Sequence, residues 1–380
     1  MKTLTHIYLS LGGNQGDTFK NLQLAVNLLY ERVGFINAIS PVYKTPSWGF
    51  EGPHFLNAVL QISTRLTSDE VLNTVLAIEQ ELGRTRDPDY KRAKTYQNRP
   101  IDIDLLFYGN EVINTGQLQV PHPRLHERRF VLLPLTDIAS GLVHPKFRNS
   151  IKDLLAETDD KSECEQLTDK LIDPGSSYNL KKHHFIAIEG NIGAGKTTLS
   201  NLIAEEFNAK LILERFKENP FLPKFYEDQS RYAFPLEMSF LADRYQQLLD
   251  DIGQFDLFKD FMIADYDSYK SLIFAQITLG AEEFNLYKKL HGMMYRELSK
   301  PSLYVYLYQN TERLLQNIKK RGREYEQQIS GDYLGKINEG YLQFIKTKQQ
   351  DNVRIIDISE LDFVSSREDY IQVIREMSKS

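Results

Sequence analysis

The sequence predicts two domains: an α+β first half and an α/β second half built on a parallel sheet. Three observations carry this. At 380 residues the chain has room for two hydrophobic cores. Strand and helix patterns alternate with hairpin-like breaks in the first part, then recur as strand–loop–helix units in the second. Between them lies a stretch rich in Asp159, Asp160, Glu163 and Glu165 that ends in Pro174-Gly175-Ser176-Ser177, and it reads as a linker. The expected boundaries are a first domain over 1–152, an acidic linker over 153–182 and a second domain over 183–380.

The elements follow from side-chain spacing. His6 to Leu11 alternates like a strand. Phe19 to Glu31 places Leu22, Val26 and Leu29 on one helical face. Phe55 to Ile62 is a second strand, and Ser68-Asp69-Glu70 opens a helix with Val75 and Ile78 inward. Ile101 to Tyr108 is a third strand, and a short helix is expected from Ile151. After the linker, Phe185 to Glu189 is a short apolar strand that runs into a glycine-rich turn and a helix from Thr198 to Phe207. Further strands are expected at Lys210 to Leu213, Leu303 to Tyr308 and Val353 to Ile358.

Composition narrows the function. Hydrophobic residues make up 41% and charged residues 26%, an ordinary globular balance. No apolar run is long enough to span a bilayer, so no membrane partner is expected. The first residues lack the apolar core of a secretory leader. A single cysteine, Cys164, forbids an intrachain disulfide or a multi-cysteine metal centre and suits a reducing cytoplasm. The net charge of −6 argues against broad nucleic-acid binding and against a phosphate-loop NTPase regulated by nucleic acid.

Gly190-Asn191-Ile192-Gly193-Ala194-Gly195-Lys196-Thr197 fits the phosphate-loop pattern between a strand and a helix. Gly190 and Gly195 let the backbone curl so that its N–H groups face a phosphate at a helix N-terminus. Lys196 reaches outer phosphates, and the Thr197 hydroxyl suits Mg²⁺. Downstream, Arg321 and Arg323 on one turn can close on phosphates and neutralise developing charge.

These residues, with Glu214, Tyr226, Arg244 and Glu326, resemble the deoxynucleoside kinases over about 183–380. The resemblance implies a P-loop kinase fold, a homodimer through this domain, and ATP-dependent phosphorylation of a deoxynucleoside 5′-hydroxyl. It makes Glu214 the carboxylate that accepts the hydroxyl proton, with Arg321 and Arg323 as the catalytic lid. Tyr226 and Glu326 would hold the 3′-hydroxyl. Glu237 and Arg244 would lie on the base-reading helix, and Asp265 would support Mg²⁺ with Thr197. Two positions depart from the family pattern. Tyr266 stands where an arginine is common, leaving Lys270 or Arg244 to substitute. Glu237 stands where glutamine is common. A carboxylate only accepts hydrogen bonds, so guanine, with two donors on one edge, fits best and a purine deoxynucleoside is expected.

In the first half, Arg99-Pro100-Ile101-Asp102-Ile103-Asp104 is the informative run. Asp102 and Asp104 share one face of a strand. Paired carboxylates suit Mg²⁺ ions that bridge ATP phosphates. Together with Glu79, Gly83-Arg84-Thr85-Arg86, Val120-Pro121-His122-Pro123 and Leu11-Gly12-Gly13-Asn14, they resemble the 6-hydroxymethyl-7,8-dihydropterin pyrophosphokinases over about 5–150. The resemblance implies a ferredoxin-like α+β fold and transfer of the ATP diphosphate to the pterin hydroxymethyl group. Asp102 and Asp104 would hold Mg²⁺. Glu79, Arg84, Arg86, Arg99, His122 and Arg128 would contact ATP, with Arg84 and Arg99 acting catalytically. Thr45, Pro46, Trp48, Phe55, Asn57 and Phe130 would form the pterin pocket. Gln97-Asn98 departs from the small residues usual before the arginine. The two resemblances together imply a bifunctional, ATP- and Mg²⁺-dependent transferase. The alternative is a pyrophosphokinase fused to a non-catalytic nucleotide-binding or dimerising module.

Overall fold

The computed structural model describes residues 2–47, 51–84, 97–215, 219–253, 257–296, 298–347 and 352–379. It divides into two compact units, Met1–Tyr178 and Asn179–Ser380.

The first unit is an antiparallel sheet with helices on both faces. Its strands are β1 (Thr5–Gly13), β2 (Gly34–Ile39), β3 (Tyr43–Thr45), β4 (Phe55–Thr64), β5 (Asp102–Tyr108) and β8 (Glu165–Gln166), and β6 (Ile113–Asn114) and β7 (Gln119–Val120) form a separate pair. The order is β5-β1-β4-β3-β8, with β2 also on β4. Helix α1 (Thr18–Arg32) starts where the Asp17 side chain accepts the Lys20 N–H at 3.2 Å. Helix α2 (Ser68–Glu81) starts at a reciprocal capping box between Thr67 and Glu70. Both turn apolar stripes to the sheet: Leu22, Val26 and Leu29 from α1, Val71, Val75 and Ile78 from α2. On the other face Tyr8, Val59 and Leu106 pack under α3 (Arg129–Ala139) and α4 (Ile151–Glu157). The antiparallel sheet with flanking helices agrees with the ferredoxin-like expectation.

Within the stretch expected as a linker, 153–182, the structure has regular elements. The first part of that stretch is helix α4, opened by a Ser150–Asp153 capping box, with Ile151 and Leu154 in the core beside Leu132 and Leu135. Strand β8 then pairs with β3 through Tyr43↔Gln166 and Lys44↔Glu165. Leu171 is buried, and the backbone at Ile172 exchanges two hydrogen bonds with the Gln23 side chain. The unit therefore ends at Tyr178. Acidic residues dominate the composition because they line the solvent side, while a few widely spaced apolar residues do the anchoring.

The second unit is a parallel sheet in the order β10-β11-β9-β12-β13: β9 (Phe185–Gly190), β10 (Lys210–Ile212), β11 (Met262–Ala264), β12 (Leu303–Tyr308) and β13 (Val353–Asp357). Its helices are α5 (Lys196–Glu206), α6 (Leu222–Glu227), α7 (Gln229–Gly253), α8 (Ser268–Thr278), α9 (Ala281–Met294), α10 (Thr311–Arg321), α11 (Gly331–Lys346) and α12 (Arg367–Ser378). The central strand β9 is fully buried, as its unbroken apolar run requires. In such a sheet ligands gather beyond the carboxyl ends of the strands. The phosphate loop follows β9, Glu214 follows β10 and Asp265 follows β11, so all three lie at that edge. Among the described residues no helix is long and apolar enough to cross a membrane.

Candidate active sites

In the first unit the strand register assembles the site. Gly12 on β1 pairs with Asn57 on β4 and with Asp102 on β5, and Ser10 pairs with Val59 and Asp104. Asp102 and Asp104 therefore sit beside small residues that leave an open floor. A Cβ on Gly12 would come within 2.9 Å of Asn57 Oδ1, so any larger residue has to displace the Asn57 amide. A cleft enclosing about 530 Å³ opens there. It is lined by Thr45, Pro46, Phe55, Asn57 and Phe130 together with Arg99, Asp102, Asp104 and Arg128. Ser10 and Gly12 complete the floor; the sequence signal for them was the small-residue run at the end of an apolar strand.

Asn57 Nδ2 donates to Thr45 Oγ1 at 2.8 Å, which fixes the amide in a buried position. The Arg99 guanidinium lies over Phe55 at 5.4 Å, and Arg128 lies over Phe130 at 5.7 Å. Arg99 Nη2 pairs with Asp102 Oδ2 at 2.5 Å, and Arg128 Nη1 stands 3.7 Å from Asp104 Oδ2. Asn14 holds this arm in place, accepting the Arg99 N–H at 2.9 Å and donating to Asn98 Oδ1 at 2.7 Å.

Three expected ATP contacts lie outside the described cleft lining. Glu79 is 2% exposed; it accepts the Ile103 N–H at 2.8 Å and bonds Arg84. Arg84 bridges Glu79 and Asp102. His122 Nε2 is 4.0 Å from Asp104 Oδ2, and burial and nearby Arg128 pull the imidazole down to about 4, so it is neutral. Glu79 and Arg84 act here as a brace behind Asp102. Trp48 and Arg86 lie outside the described residues.

Burial and the neighbouring Asp102 push the Asp104 carboxyl up, opposed by Arg128 and Arg99. About a third of the side chain is open to water, which screens the effect. Two adjacent hard carboxylates that repel each other suit a divalent cation. Among the described residues no group of three or more His, Cys, Asp or Glu side chains could hold a metal alone. Ligand oxygens would have to complete such a sphere, as Mg²⁺ between carboxylates and phosphates requires.

In the second unit a cleft enclosing about 830 Å³ gathers residues from seven segments. Gly193, Lys196 and Thr197 line one end. Gly195 has φ +84°, and a Cβ there would meet Phe363 at 2.7 Å. Lys196 Nζ donates to the Gly190 and Asn191 carbonyls, each at 2.9 Å, and burial with Lys270 nearby pulls its ammonium down to about 8. Thr197 Oγ1 donates to Asp265 Oδ2, and Asp265 Oδ1 accepts the Glu214 N–H at 2.8 Å. This hydroxyl–carboxylate pair beside the loop fits Mg²⁺ by the same argument.

Glu214 lies deeper, with its side chain 9% exposed. Arg244 reaches its Oε1 through Nε at 2.8 Å and Nη2 at 2.7 Å, and Lys270 Nζ reaches its Oε2 at 2.5 Å. Burial works to raise this carboxyl, but Lys270 and Arg244 outweigh it and hold it well below the usual range. Lys270 was only a possible substitute in the sequence; the structure puts it on the cleft wall. Tyr266 is fully buried among Leu241, Leu248, Tyr287 and Tyr295 and does not line the cleft. Glu189 has no motif signal of its own. It is buried at the end of β9 and accepts the Asp267 N–H at 2.7 Å and the Tyr341 hydroxyl at 2.8 Å. Burial pushes it up to about 7, with Lys270 and Lys196 opposing.

Arg321 and Arg323 both bond Glu326, the second at 3.0 Å, and all three line the cleft. Tyr226 stacks on Tyr325 with ring centroids 6.1 Å apart. Glu237 and Arg244 are seven residues apart on α7, so both face the cleft.

The Deoxynucleoside kinase family matches residues 186–380, and the 7,8-dihydro-6-hydroxymethylpterin-pyrophosphokinase family matches residues 8–140. The chain is 38% identical to deoxyguanosine kinase of Bacillus subtilis over 193 residues, covering 50% of this chain and 93% of that protein. It is 42% identical to 2-amino-4-hydroxy-6-hydroxymethyldihydropteridine pyrophosphokinase of Porphyromonas gingivalis over 142 residues, covering 37% of this chain and 94% of that protein. A solved structure of deoxyadenosine kinase from M. mycoides with dCMP and dCDP is 26% identical, covers 50% of this chain and 98% of that one, and has a TM-score of 0.44. The chain therefore belongs to two families, joining a hydroxymethyldihydropterin pyrophosphokinase unit to a deoxynucleoside kinase unit.

Proposed function

We propose that this chain is a bifunctional transferase that uses ATP with Mg²⁺ at two independent sites. The first unit moves a diphosphate from ATP to 6-hydroxymethyl-7,8-dihydropterin. The second phosphorylates the 5′-hydroxyl of a purine deoxynucleoside, with guanine preferred. The supporting observation is the same in both units: one cleft is lined by acidic and basic side chains together with aromatic ones.

In the first unit Asp102 and Asp104 would hold Mg²⁺, which would neutralise phosphate charge, and Arg99 and Arg128 neutralise charge on the ATP phosphates. Arg84 holds Asp102, and Glu79 holds Arg84. The pterin lies between Phe55 and Phe130, and its polar edge meets Asn57 and Thr45. In-line transfer then needs positioning and charge neutralisation more than a strong base. In the second unit the phosphate loop and Lys196 seat ATP, and Thr197 with Asp265 would hold Mg²⁺. Glu214 orients the nucleoside 5′-hydroxyl and accepts its proton. Arg321 and Arg323 leave Glu326 for the phosphates as the lid closes, and Glu326 with Tyr226 takes the 3′-hydroxyl. The non-catalytic alternative rested on Tyr266. With Lys270 and Arg244 flanking Glu214, the cationic work of the missing arginine is supplied from elsewhere.

A homodimer forms through the second unit, where the packed helices α7 and α9 leave Leu249, Leu286 and Met293 exposed. The reducing cytoplasm suits a chain with one cysteine. Paired substitutions test the assignment in the full chain. Lys196→Ala removes nucleoside phosphorylation and spares pterin diphosphorylation, whereas Asp102→Asn and Asp104→Asn do the reverse, each by about 100-fold or more. Loss of both activities from either change would overturn independent sites.

A further inference from the structure

Glu237 is a buried acid with one unused oxygen. It faces the second cleft and is 3% exposed. Its Oε1 lies 3.2 Å from Thr278 Oγ1, whose single hydroxyl proton also reaches the Phe274 carbonyl at 2.9 Å. Its Oε2 is buried without a hydrogen-bond partner among the described residues. The charged and titratable groups around it are committed elsewhere. On its own helix, Arg244 gives Nε and Nη2 to Glu214 and Nη1 to Ser271 at 2.8 Å. On α8, Lys270 is bonded to Glu214, and Glu214 itself adds a second negative charge. On α9, the Tyr287 hydroxyl donates to the Glu237 backbone carbonyl at 3.4 Å, and on α11 Tyr333 lines the cleft as a neutral phenol. No cation among the described residues forms an ion pair with Glu237.

We propose that Glu237 reads the base in two protonation states, so that the choice between guanine and adenine deoxynucleosides depends on pH. The inference rests on the reading above that Glu237 meets the base. An ionised carboxylate presents two acceptors, which match the adjacent N1–H and amino donors of guanine. A protonated carboxyl presents one donor and one acceptor, as a glutamine amide does, and matches the amino group and ring nitrogen of adenine. Burial of an unpaired carboxylate favours its neutral form. Burial raises this group to about 7, and Arg244 and the Thr278 hydroxyl oppose that only in part. Both states are then populated near neutrality, and a bound guanine pulls the acid toward its ionised form.

The test is the ratio of kcat/KM for deoxyguanosine to that for deoxyadenosine, measured on the full chain from about pH 5.5 to about pH 8.5. Taking a ratio cancels the titration of every group that serves both substrates. The expected result is a rise of about tenfold with pH in the wild type and a flat profile in Glu237→Gln. A flat wild-type profile overturns the proposal. If Glu237→Gln still shifts the ratio at all pH values, the base contact survives without the titration. If Glu237→Gln matches the wild type at every pH, the base contact fails too. A rise in both proteins assigns the titration to another group and also overturns it. Calorimetry of wild-type protein with deoxyguanosine near pH 6.5, in two buffers of different ionisation enthalpy, needs no variant. Release of more than about half a proton per nucleoside supports the proposal, and release of none overturns it.

Discussion

Replacing Lys270 with methionine keeps the length of the side chain and removes its charge. Lys270 Nζ and Glu214 Oε2 are 2.5 Å apart, with side chains 11% and 9% exposed. At an effective dielectric of about 20 the pair attracts by about 7 kcal/mol before desolvation is counted. Desolvation returns much of that, and Arg244 still holds Glu214 through two N–H groups at 2.8 and 2.7 Å. The net loss in stability is therefore about 2–4 kcal/mol. Lys270 also lies on the cleft wall beside the proposed proton acceptor, so kcat for nucleoside phosphorylation falls about 100-fold. The pH dependence has a definite sign. Glu214 is held well below its ordinary value of 4.5 in the folded chain. Its stabilisation is complete above that ordinary value and is lost as the pH falls toward the folded value. Lys270→Met weakens the depression, so the gap between variant and wild type is full at neutral pH and narrows only once the pH falls through the variant's own Glu214 value, which lies below 4.5. Urea unfolding of the full chain measures this. Far-UV circular dichroism is weighted to the second unit, which holds most of the helices, while the single tryptophan, Trp48, belongs to the first. A shift below about 0.5 kcal/mol with unchanged kcat would refute the role given to Lys270.

Two further outcomes test the first unit. Gly12→Ala places a Cβ 2.9 Å from Asn57 Oδ1 and displaces that amide, so KM for the pterin rises about tenfold while nucleoside phosphorylation stays constant. Leu154→Ala opens a cavity beside Leu132 and Leu135 and costs the first unit about 2–4 kcal/mol, read by tryptophan fluorescence; a true linker residue would cost under about 0.5 kcal/mol.

The parts legible in the sequence are local. The phosphate loop depends on glycines, a lysine and a threonine within eight consecutive residues, and the chain itself brings them together. Asp102 and Asp104 share a face because strand side chains alternate. Glu237 and Arg244 share a face because seven residues make two helical turns. Short-range periodicity also placed β1, β4, β5, β9 and β12. What periodicity does not carry is which distant segment a strand or an acidic run will meet. The 153–182 stretch looked like a linker because its anchors are sparse: Leu154 packs on α3, while β8 and the Ile172 backbone meet partners more than a hundred residues away in β3 and α1.

The sequence by itself determined the two families and the groups that lie in contiguous motifs: the phosphate loop with Lys196 and Thr197, and the Asp102–Asp104 pair. The tertiary structure decided how those groups are used. Antiparallel register set Gly12 between Asn57 and Asp102. Parallel strand order brought Glu214, Arg244 and Lys270 from three separate segments into one ion-pair cluster and sent Tyr266 into the core. Burial then left one oxygen of Glu237 without a hydrogen-bond partner among the described residues. Register, strand order and burial arise from packing between distant residues, and a single sequence records the residues without recording the contacts.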